Sequence, residues 1–172
     1  RYVENAMWSH RGVVFVTVNV QGSNDNLGFD AASDREHAER TIANLEWVRR
    51  AIKRVRDENA LALAVFMQAN PGFEEEPASV LSSGYRNFFQ AFEADVEVLG
   101  KPVLFAHGDT HQFRIDRPYR SPLDHRPIAN MTRVETYGSP QTNWVRITVN
   151  PENPASPFLI RSGDFRAQQT PD

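Results

Sequence analysis

The chain has 172 residues, of which 40% are hydrophobic and 24% are charged, a composition that is ordinary for one globular domain. Its net charge of -3 predicts neither nonspecific nucleic-acid binding nor attraction to a membrane surface, and it contains no run of about 18 apolar residues to span a bilayer. The absence of cysteine excludes disulfides, thiolate catalysis and cysteine-based metal sites. Composition leaves the compartment and the oligomeric state open.

The first third of the chain predicts a strand, a polar loop and a long helix. Val13–Asn19 is β-branched or aromatic almost throughout, which predicts a central strand covered on both faces. The polar loop Gln21–Asn26 follows. Residues 35–57 repeat apolar side chains every three or four positions, which predicts a helix with one buried stripe. The stripe consists of Ile42, Leu45, Val48, Ile52 and Val55. We expect the five basic residues between positions 49 and 56 to form its solvated face.

The middle of the chain predicts two more buried strands with a helix between them. Leu61–Met67 is an apolar run that ends in the polar sequence Gln68-Ala-Asn-Pro-Gly72. Residues 80–99 carry aromatic side chains at helical spacing, which predicts a helix with an aromatic core face. These aromatic residues are Tyr85, Phe88, Phe89 and Phe92. Lys101–Ala106 is apolar and β-prone, and it predicts the third strand.

Beyond residue 111 the pattern changes to shorter strands and a proline-rich loop over 117–127. The predicted strands are 113–116, 133–137, 144–149 and 158–160. Strands that alternate with helices favour an α/β fold, a layered sheet with flanking helices. We therefore expect residues 1–160 to form a single α/β domain and residues 161–172 to form a polar C-terminal tail.

The densest group of potential metal ligands follows the strand at 101–106. His107, Asp109 and His111 lie within five residues, around the turn at Gly108. Open α/β sheets bind ligands at the carboxyl edge of their strands. Because Gln68 also follows a buried strand, we expect it to reach the same crevice. The sequence therefore predicts a ligand site at this edge of the sheet.

Four motifs occur in an informative order. Asn44-Leu-Glu-Trp-Val48 lies on the predicted helix, and Gln68-Ala-Asn-Pro71 and Gly108-Asp-Thr-His111 each follow a strand. Tyr137-Gly-Ser139 comes later. This order resembles the carboxyl-terminal half of calcineurin-like metallophosphoesterases, and the resemblance covers most of the chain. That family commonly has Gln-Leu-x-Trp-Leu on the helix, a histidine ligand shortly before a proline, and then Gly-His-x-His.

The resemblance implies half of an αββα sandwich, a divalent metal ion and hydrolysis of a small-molecule phosphoester. It implies His111 as a metal ligand by direct match, with Asp109 and Gln68 at positions that the family fills with histidine. His107 is an extra candidate that either ligates the ion or holds a neighbouring carboxylate. The oxygen donors shift the preference toward hard ions. Manganese, magnesium, iron, zinc and calcium all stay open.

The family's amino-terminal motifs, Asp-x-His, Gly-Asp-x-x-Asp and Gly-Asn-His-Asp/Glu, do not occur upstream of Val13. Ser33–His37 contains two acids and a histidine, but it lies at the predicted helix start, where we expect an N-cap and first-turn acids. A two-metal phosphoesterase site needs about seven or eight protein ligands. We therefore expect a partial metallophosphoesterase-like domain that is inactive as an isolated chain.

Three other interpretations stay open at this point. The chain is alternatively a noncatalytic binding or interaction module on a degenerate metallophosphoesterase scaffold. A self-contained mononuclear hydrolase with His107, Asp109 and His111 is disfavoured, because residues so close in sequence seldom all face one ion. The last interpretation is a protein of purely structural role.

Overall fold

The structure, a computed structural model, describes residues 3–74, 83–121 and 123–164, which form a mixed α/β fold. The strands are β1 (Ala6–His10), β2 (Val13–Thr17), β3 (Ala62–Phe66), β4 (Val103–His107), β5 (Arg114–Asp116), β6 (Met131–Glu135), β7 (Asn143–Val149) and β8 (Phe158–Asp164). The helical segments are α1 (Gly22–Asp25), α2 (Ala31–Asp57) and α3 (Arg86–Leu99). Among these helices, none combines the length and the apolar character that crossing a membrane requires.

The main sheet has six strands in the order β1-β2-β3-β4-β6-β5 within the described part of the chain. The inner strands β2, β3, β4 and β6 are parallel, whereas β1 and β5 pair antiparallel at the two edges. The register places Phe66 beside Ala106 and His107 beside Glu135. The carboxyl ends of the four parallel strands therefore meet at one edge of the sheet.

The sheet is the middle layer of three. Alternate residues of β3 point to opposite faces, so that Leu63 and Val65 pack with α2 and α3 while Ala62 and Ala64 face the β7–β8 hairpin. Each fully buried leucine or valine contributes about 1.5–3 kcal/mol of hydrophobic stabilisation. The continuous apolar run at 61–67 is explained by this coverage on both faces.

Helix α2 begins four residues before the predicted start, and its buried face differs from the prediction near that end. The N-cap is Asp30, whose side chain accepts hydrogen bonds from the backbone N–H groups of Ala32 and Ser33. The segment Ser33–His37 therefore lies inside the helix, and the expectation that it supplies the N-cap was wrong. Ile42 was also wrongly placed in the buried stripe, since its side chain is 70% exposed. Polar residues take the buried positions there: His37, Arg40, Thr41 and Asn44.

Two other helix predictions are confirmed. The aromatic residues of α3 are buried in the core, with Phe88 and Phe92 at 1% and 0% exposure. The basic residues at positions 49–56 of α2 form a solvated face, where four of them pair with acids on α2, at its C-cap or on α3. These pairs are Arg49–Asp95, Arg50–Glu46, Lys53–Asp57 and Arg54–Glu58.

Several strand boundaries differ from the predicted ones. Strand β1 was not predicted, although its five residues pair with all five of β2. Strand β8 extends to Asp164, so residues 161–164 belong to the hairpin instead of a tail. Strand β6 lies two residues earlier than 133–137. Helix α3 begins at Arg86, so the prediction was wrong for residues 83–85, which precede the helix. The predicted helix residues 80–82 and the tail residues 165–172 lie outside the described residues.

Candidate functional site

Gln68 and Asp109 meet at the carboxyl edge of the sheet, where β3 and β4 end side by side. The side-chain amide of Gln68 donates to Oδ1 of Asp109 at 3.1 Å, and the backbone N–H of Asn70 donates to Oδ2 at 3.1 Å. The backbone N–H of Gly108 donates to the carbonyl of Gln68 at 3.1 Å. The predicted meeting of the two strand ends is therefore confirmed, and Asn70 is an additional member of the group.

Gly22 brings a third strand end to the same place. Its backbone N–H donates to Oε1 of Gln68 at 2.6 Å. A Cβ atom at this position would lie 3.3 Å from Oδ1 of Asp109 and 3.5 Å from Oε1 of Gln68. Glycine thus permits a close approach of the backbone to both side chains. The loop after β2 forms one side of the crevice.

The turn after Gly22 has a left-handed backbone, and a buried arginine of α2 stabilises it. Ser23 and Asn24 have φ values of 56° and 58°. Residues in this region cost about 1–3 kcal/mol each unless their surroundings compensate. Buried Arg40 pairs with Asp25 and also donates to the backbone carbonyl of Asp25 at 2.9 Å. Burial raises the pKa of Asp25 although the guanidinium opposes this change.

His111 is exposed and is held by the chain that follows β6. Its Nδ1 donates to the carbonyl of Ser139 at 2.7 Å, since a carbonyl oxygen only accepts. In the neutral ring this bond places the proton on Nδ1 and leaves a lone pair on Nε2. A Cβ atom at Gly138 would lie 2.2 Å from Cδ2 of His111, so the ring packs directly on the glycine backbone.

The loop from Gly108 to His111 contains two non-glycine residues with positive φ. Asp109 has a φ of 90° and His111 a φ of 64°. Such conformations are costly for residues with a side chain, and they concentrate at functional sites. No hydrogen bond joins His111 to Gln68 or Asp109 among the described contacts. The structure therefore brings Gln68 and Asp109 together directly, with His111 two residues further along the same loop.

His107 lies beneath this loop, not in the crevice. Its side chain is 2% exposed and its ring lies 5.4 Å from that of Phe105, on the helix side of the sheet. Nδ1 donates to the carbonyl of Gly108 at 2.9 Å. Burial lowers the pKa of His107, which favours the neutral ring with a lone pair on Nε2. That atom has no hydrogen-bond partner within the described ranges.

Glu135, the last residue of β6, holds the middle of the loop. Its carboxylate is fully buried and accepts hydrogen bonds from the backbone N–H and the hydroxyl of Thr110. The next residue, Thr136, donates its backbone N–H to the carbonyl of His107 at 2.9 Å. The end of β6 and the residues after it therefore contact the loop at three successive points, His107, Thr110 and His111.

Glu135 belongs to a group of charges that extends from the buried sheet to the surface, which we call the Arg133 cluster. Its members are Glu74, Arg114, Asp116, Arg133 and Glu135. Arg133 pairs with both Asp116 and Glu74, and Arg114 lies 2.5 Å from Glu74 and 3.5 Å from Glu135. Burial alone would raise the pKa of Glu74, but hydrogen bonds from Arg133, Asn70 and Arg114 lower it to about 2.

The sequence predictions did not include the Arg133 cluster. Arg133 and Glu135 stood inside a predicted strand, where charged residues at alternate positions usually indicate a solvated face. The predicted strand 133–137 ran past Glu135, and its pairing with β4 was not predicted. In the structure β6 ends at Glu135 and is parallel to β4, so the edge rule that pointed to Gln68 and Asp109 reaches Glu135 only once the strand order is known.

Two exposed side chains of this loop carry atoms that can bind a metal ion. His111 offers an imidazole nitrogen and Asp109 a carboxylate, both ordinary ligands of divalent transition metals. Within the described residues there is no group of three or more histidine, aspartate and glutamate side chains arranged to hold an ion. Two donors leave most of a coordination sphere to other ligands.

No protein-family model, curated protein or solved structure matches the chain. The fold and the geometry of this edge are therefore the basis for assigning a function.

Proposed function

We propose that the carboxyl edge of the sheet is one wall of the metal site of a phosphoester hydrolase, with His111 and Asp109 as ligands. The hydrogen bond from Nδ1 of His111 to the carbonyl of Ser139 carries this proposal. Metal-binding histidines almost always donate their other ring N–H to a carbonyl, a carboxylate or water, which fixes the ring and leaves the second nitrogen for the metal. His111 has this arrangement in an exposed loop.

The surroundings of Asp109 support the same role. Ligating carboxylates are usually held by hydrogen bonds from neighbouring groups, and each oxygen of Asp109 accepts one. Oε1 of Gln68 already accepts from Gly22, so we expect Gln68 to contribute less to metal affinity than Asp109 or His111. His107 is buried beneath the loop, and we expect it to contribute least.

An imidazole together with a carboxylate suits manganese, iron or zinc better than calcium. A bound ion would supply Lewis-acid activation of water and of the phosphoryl oxygen. His111 and Asp109 would hold the ion, and their hydrogen bonds to Ser139, Gln68 and Asn70 would orient them. We expect the remaining ligands to come from outside the described residues.

The proposal predicts that the full-length protein binds Mn²⁺ through His111. Isothermal titration should show at least tenfold weaker Mn²⁺ binding for His111→Ala and for Asp109→Asn than for the wild type. His10→Ala is the matched control. His10 is exposed on β1, three strands away from β4, and it pairs with the first residue of β2 at the opposite edge of the sheet. Turnover of bis(p-nitrophenyl) phosphate should require the ion. Equal affinity in the wild type and His111→Ala would refute the ligand assignment.

A noncatalytic binding module on a degenerate scaffold is the second candidate. It is favoured by Asp109, whose two oxygens already have hydrogen-bond partners without an ion. The titration and the turnover assay together separate the two functions. If the full-length wild type binds Mn²⁺ through His111 but hydrolyses no phosphoester, the site is a binding site; if it also turns over, the module is excluded.

A further inference from the structure

A cavity of about 550 Å³ lies at the amino edge of the sheet, opposite the candidate metal site. Val103 and Thr132, which stand at the beginning of β4 and β6, line one side of it. Phe158 and Ile160 of β8 line the other side, so the cavity opens between the two sheets. Small-molecule sites in proteins typically have volumes of roughly 300–1,000 Å³.

Internal hydrogen bonds brace the walls of this cavity. In the loop between β7 and β8, the backbone N–H of Asn150 donates to the carbonyl of Pro157 at 2.7 Å, and that of Ser156 donates to Asn153 at 3.1 Å. In the opposite wall the side-chain amide of Asn130 donates to the carbonyls of Val96 and Lys101 at 3.1 and 2.8 Å. A braced cavity costs little conformational entropy when a ligand enters.

The lining combines an apolar surface with positive charge. Phe158 and Ile160 are only partly buried, so they present apolar surface to the cavity. Lys101 and Arg117 also line it, and none of the described lining residues is acidic. In the same part of the chain neither cation forms an ion pair with a carboxylate, and Nζ of Lys101 has only a 3.5 Å hydrogen bond to the neutral Oδ1 of Asn59. This local excess of positive charge contrasts with the net charge of -3 of the whole chain.

We propose that this cavity binds a small organic anion with an aromatic or aliphatic body. The anionic group would pair with Lys101 and Arg117, and the apolar body would pack against Phe158 and Ile160. Burial of the apolar body supplies affinity, and the two cations supply selectivity for a negative charge. The proposal does not depend on the metal site, because the two sites lie at opposite ends of the parallel strands.

Titration of the ¹⁵N-labelled full-length protein with 1-naphthoate tests the proposal by NMR. We expect saturable shifts of the backbone amides of Val103, Thr132, Phe158 and Ile160. The uncharged analogue 1-naphthalenemethanol should bind at least tenfold more weakly, because it cannot pair with the cations. The double variant Lys101→Gln/Arg117→Gln should weaken naphthoate binding by about tenfold, with little change for the uncharged analogue.

The double variant Arg50→Gln/Lys53→Gln is the matched control, since it removes two cations from the exposed face of α2. It should bind naphthoate as the wild type does. The proposal is overturned if the four amides show no saturable shift, or if the Lys101→Gln/Arg117→Gln variant binds naphthoate as tightly as the control variant. Equal weakening of naphthoate binding in both double variants would also overturn the proposal, because it would show that only the total charge matters.

Discussion

Two groups of polar residues lie near the carboxyl edge of the sheet, and they differ in how fully they are paired. In the Arg133 cluster the guanidinium is 2% exposed and meets two carboxylates, so its charge is neutralised inside the protein. In the loop from Gly108 to His111, the side chains of Asp109 and His111 are exposed, and Nε2 of His111 has no partner among the described contacts.

This difference in pairing distinguishes a group that stabilises the loop from a group that is free to bind a ligand. Buried charges are tolerated only when they are paired, whereas an exposed lone pair is stabilised by water until a ligand replaces it. Glu135 connects the two groups, because it lies beside Arg114 and accepts two hydrogen bonds from Thr110. The Arg133 cluster therefore holds the strained loop through Thr110, and the loop exposes the side chains of Asp109 and His111 to solvent.

Removing the central cation should have the largest effect on stability. Arg133→Met keeps the length of the side chain but leaves Asp116 without its guanidinium partner and Glu74 with Arg114 alone. Removing one partner of a fully buried ion pair costs about 3–5 kcal/mol, but Glu74 and Asp116 are 34% and 43% exposed, so we expect water to reduce the loss to about 2–3 kcal/mol. We expect a decrease of that size in the free energy of unfolding, measured by urea denaturation at pH 7.

The matched control is Arg126→Met, which removes an arginine that pairs with Asp124 but is itself 82% exposed. Exposed ion pairs contribute about 0–1 kcal/mol, so this variant should be nearly as stable as the wild type. Similar losses in the two variants would show that burial does not distinguish the Arg133 cluster from an ordinary surface pair.

Glu93 on α3 provides a second test of the comparison, because it is a partly buried acid that pairs with no guanidinium group among the described residues. Burial raises its pKa from 4.5 to about 7, opposed only by a backbone hydrogen bond from Arg120. The folded protein therefore holds the proton more tightly than the unfolded chain, and it loses stability as the pH rises from 4.5 to 7. We expect Glu93→Gln to increase the free energy of unfolding by about 2 kcal/mol at pH 8 and to change it little at pH 4.5.

Urea denaturation at the two pH values measures this change, with Glu46→Gln on the exposed face of α2 as the control. The control variant should show no comparable dependence on pH. A difference between Glu93→Gln and the wild type that is the same at both pH values would mean that the acid is not desolvated in the folded state.

The glycine beneath His111 provides the test with the smallest expected effect. In Gly138→Ala the new Cβ would occupy space taken by the His111 ring, which must then move away from Ser139. We expect about tenfold weaker Mn²⁺ binding, since loss of the partner that orients a ligand typically costs 10–100-fold in affinity. Ser139→Ala keeps the carbonyl that accepts from His111, so it should bind Mn²⁺ as the wild type does.

The sequence predicted those parts of the fold that depend on apolar patterns. The runs at 13–19 and 61–67 predicted strands buried on both faces, and the end of the second run correctly pointed Gln68 toward Asp109. The pattern failed where buried positions are polar. Arg40 lies on the buried face of α2 because it pairs with Asp25, and a hydrophobic stripe cannot indicate such a residue.

The sequence predicted that Gln68 and Asp109 meet, but it wrongly placed His107 beside them and did not predict the residues that hold the loop. The motif Gly108-Asp-Thr-His111 indicated the exposed donors, since they follow one another in sequence. Their hydrogen-bond partners lie in distant segments of the chain. The pairing of β4 with β6 brings Glu135 and Ser139 to the loop, and the pairing of β2 with β3 brings Gly22 to Gln68. Such contacts depend on the order of strands in the sheet, which local sequence does not specify.

The protonation state of the His111 ring tests the metal-site proposal most directly. A long-range ¹H–¹⁵N NMR spectrum of the full-length protein separates the two ring nitrogens, and titration with Zn²⁺ reports which of them binds. We predict that Nδ1 carries the proton before titration and that Zn²⁺ shifts the Nε2 resonance of His111. A proton on Nε2, or a His111 spectrum that Zn²⁺ leaves unchanged while the protein remains folded, would contradict the proposal.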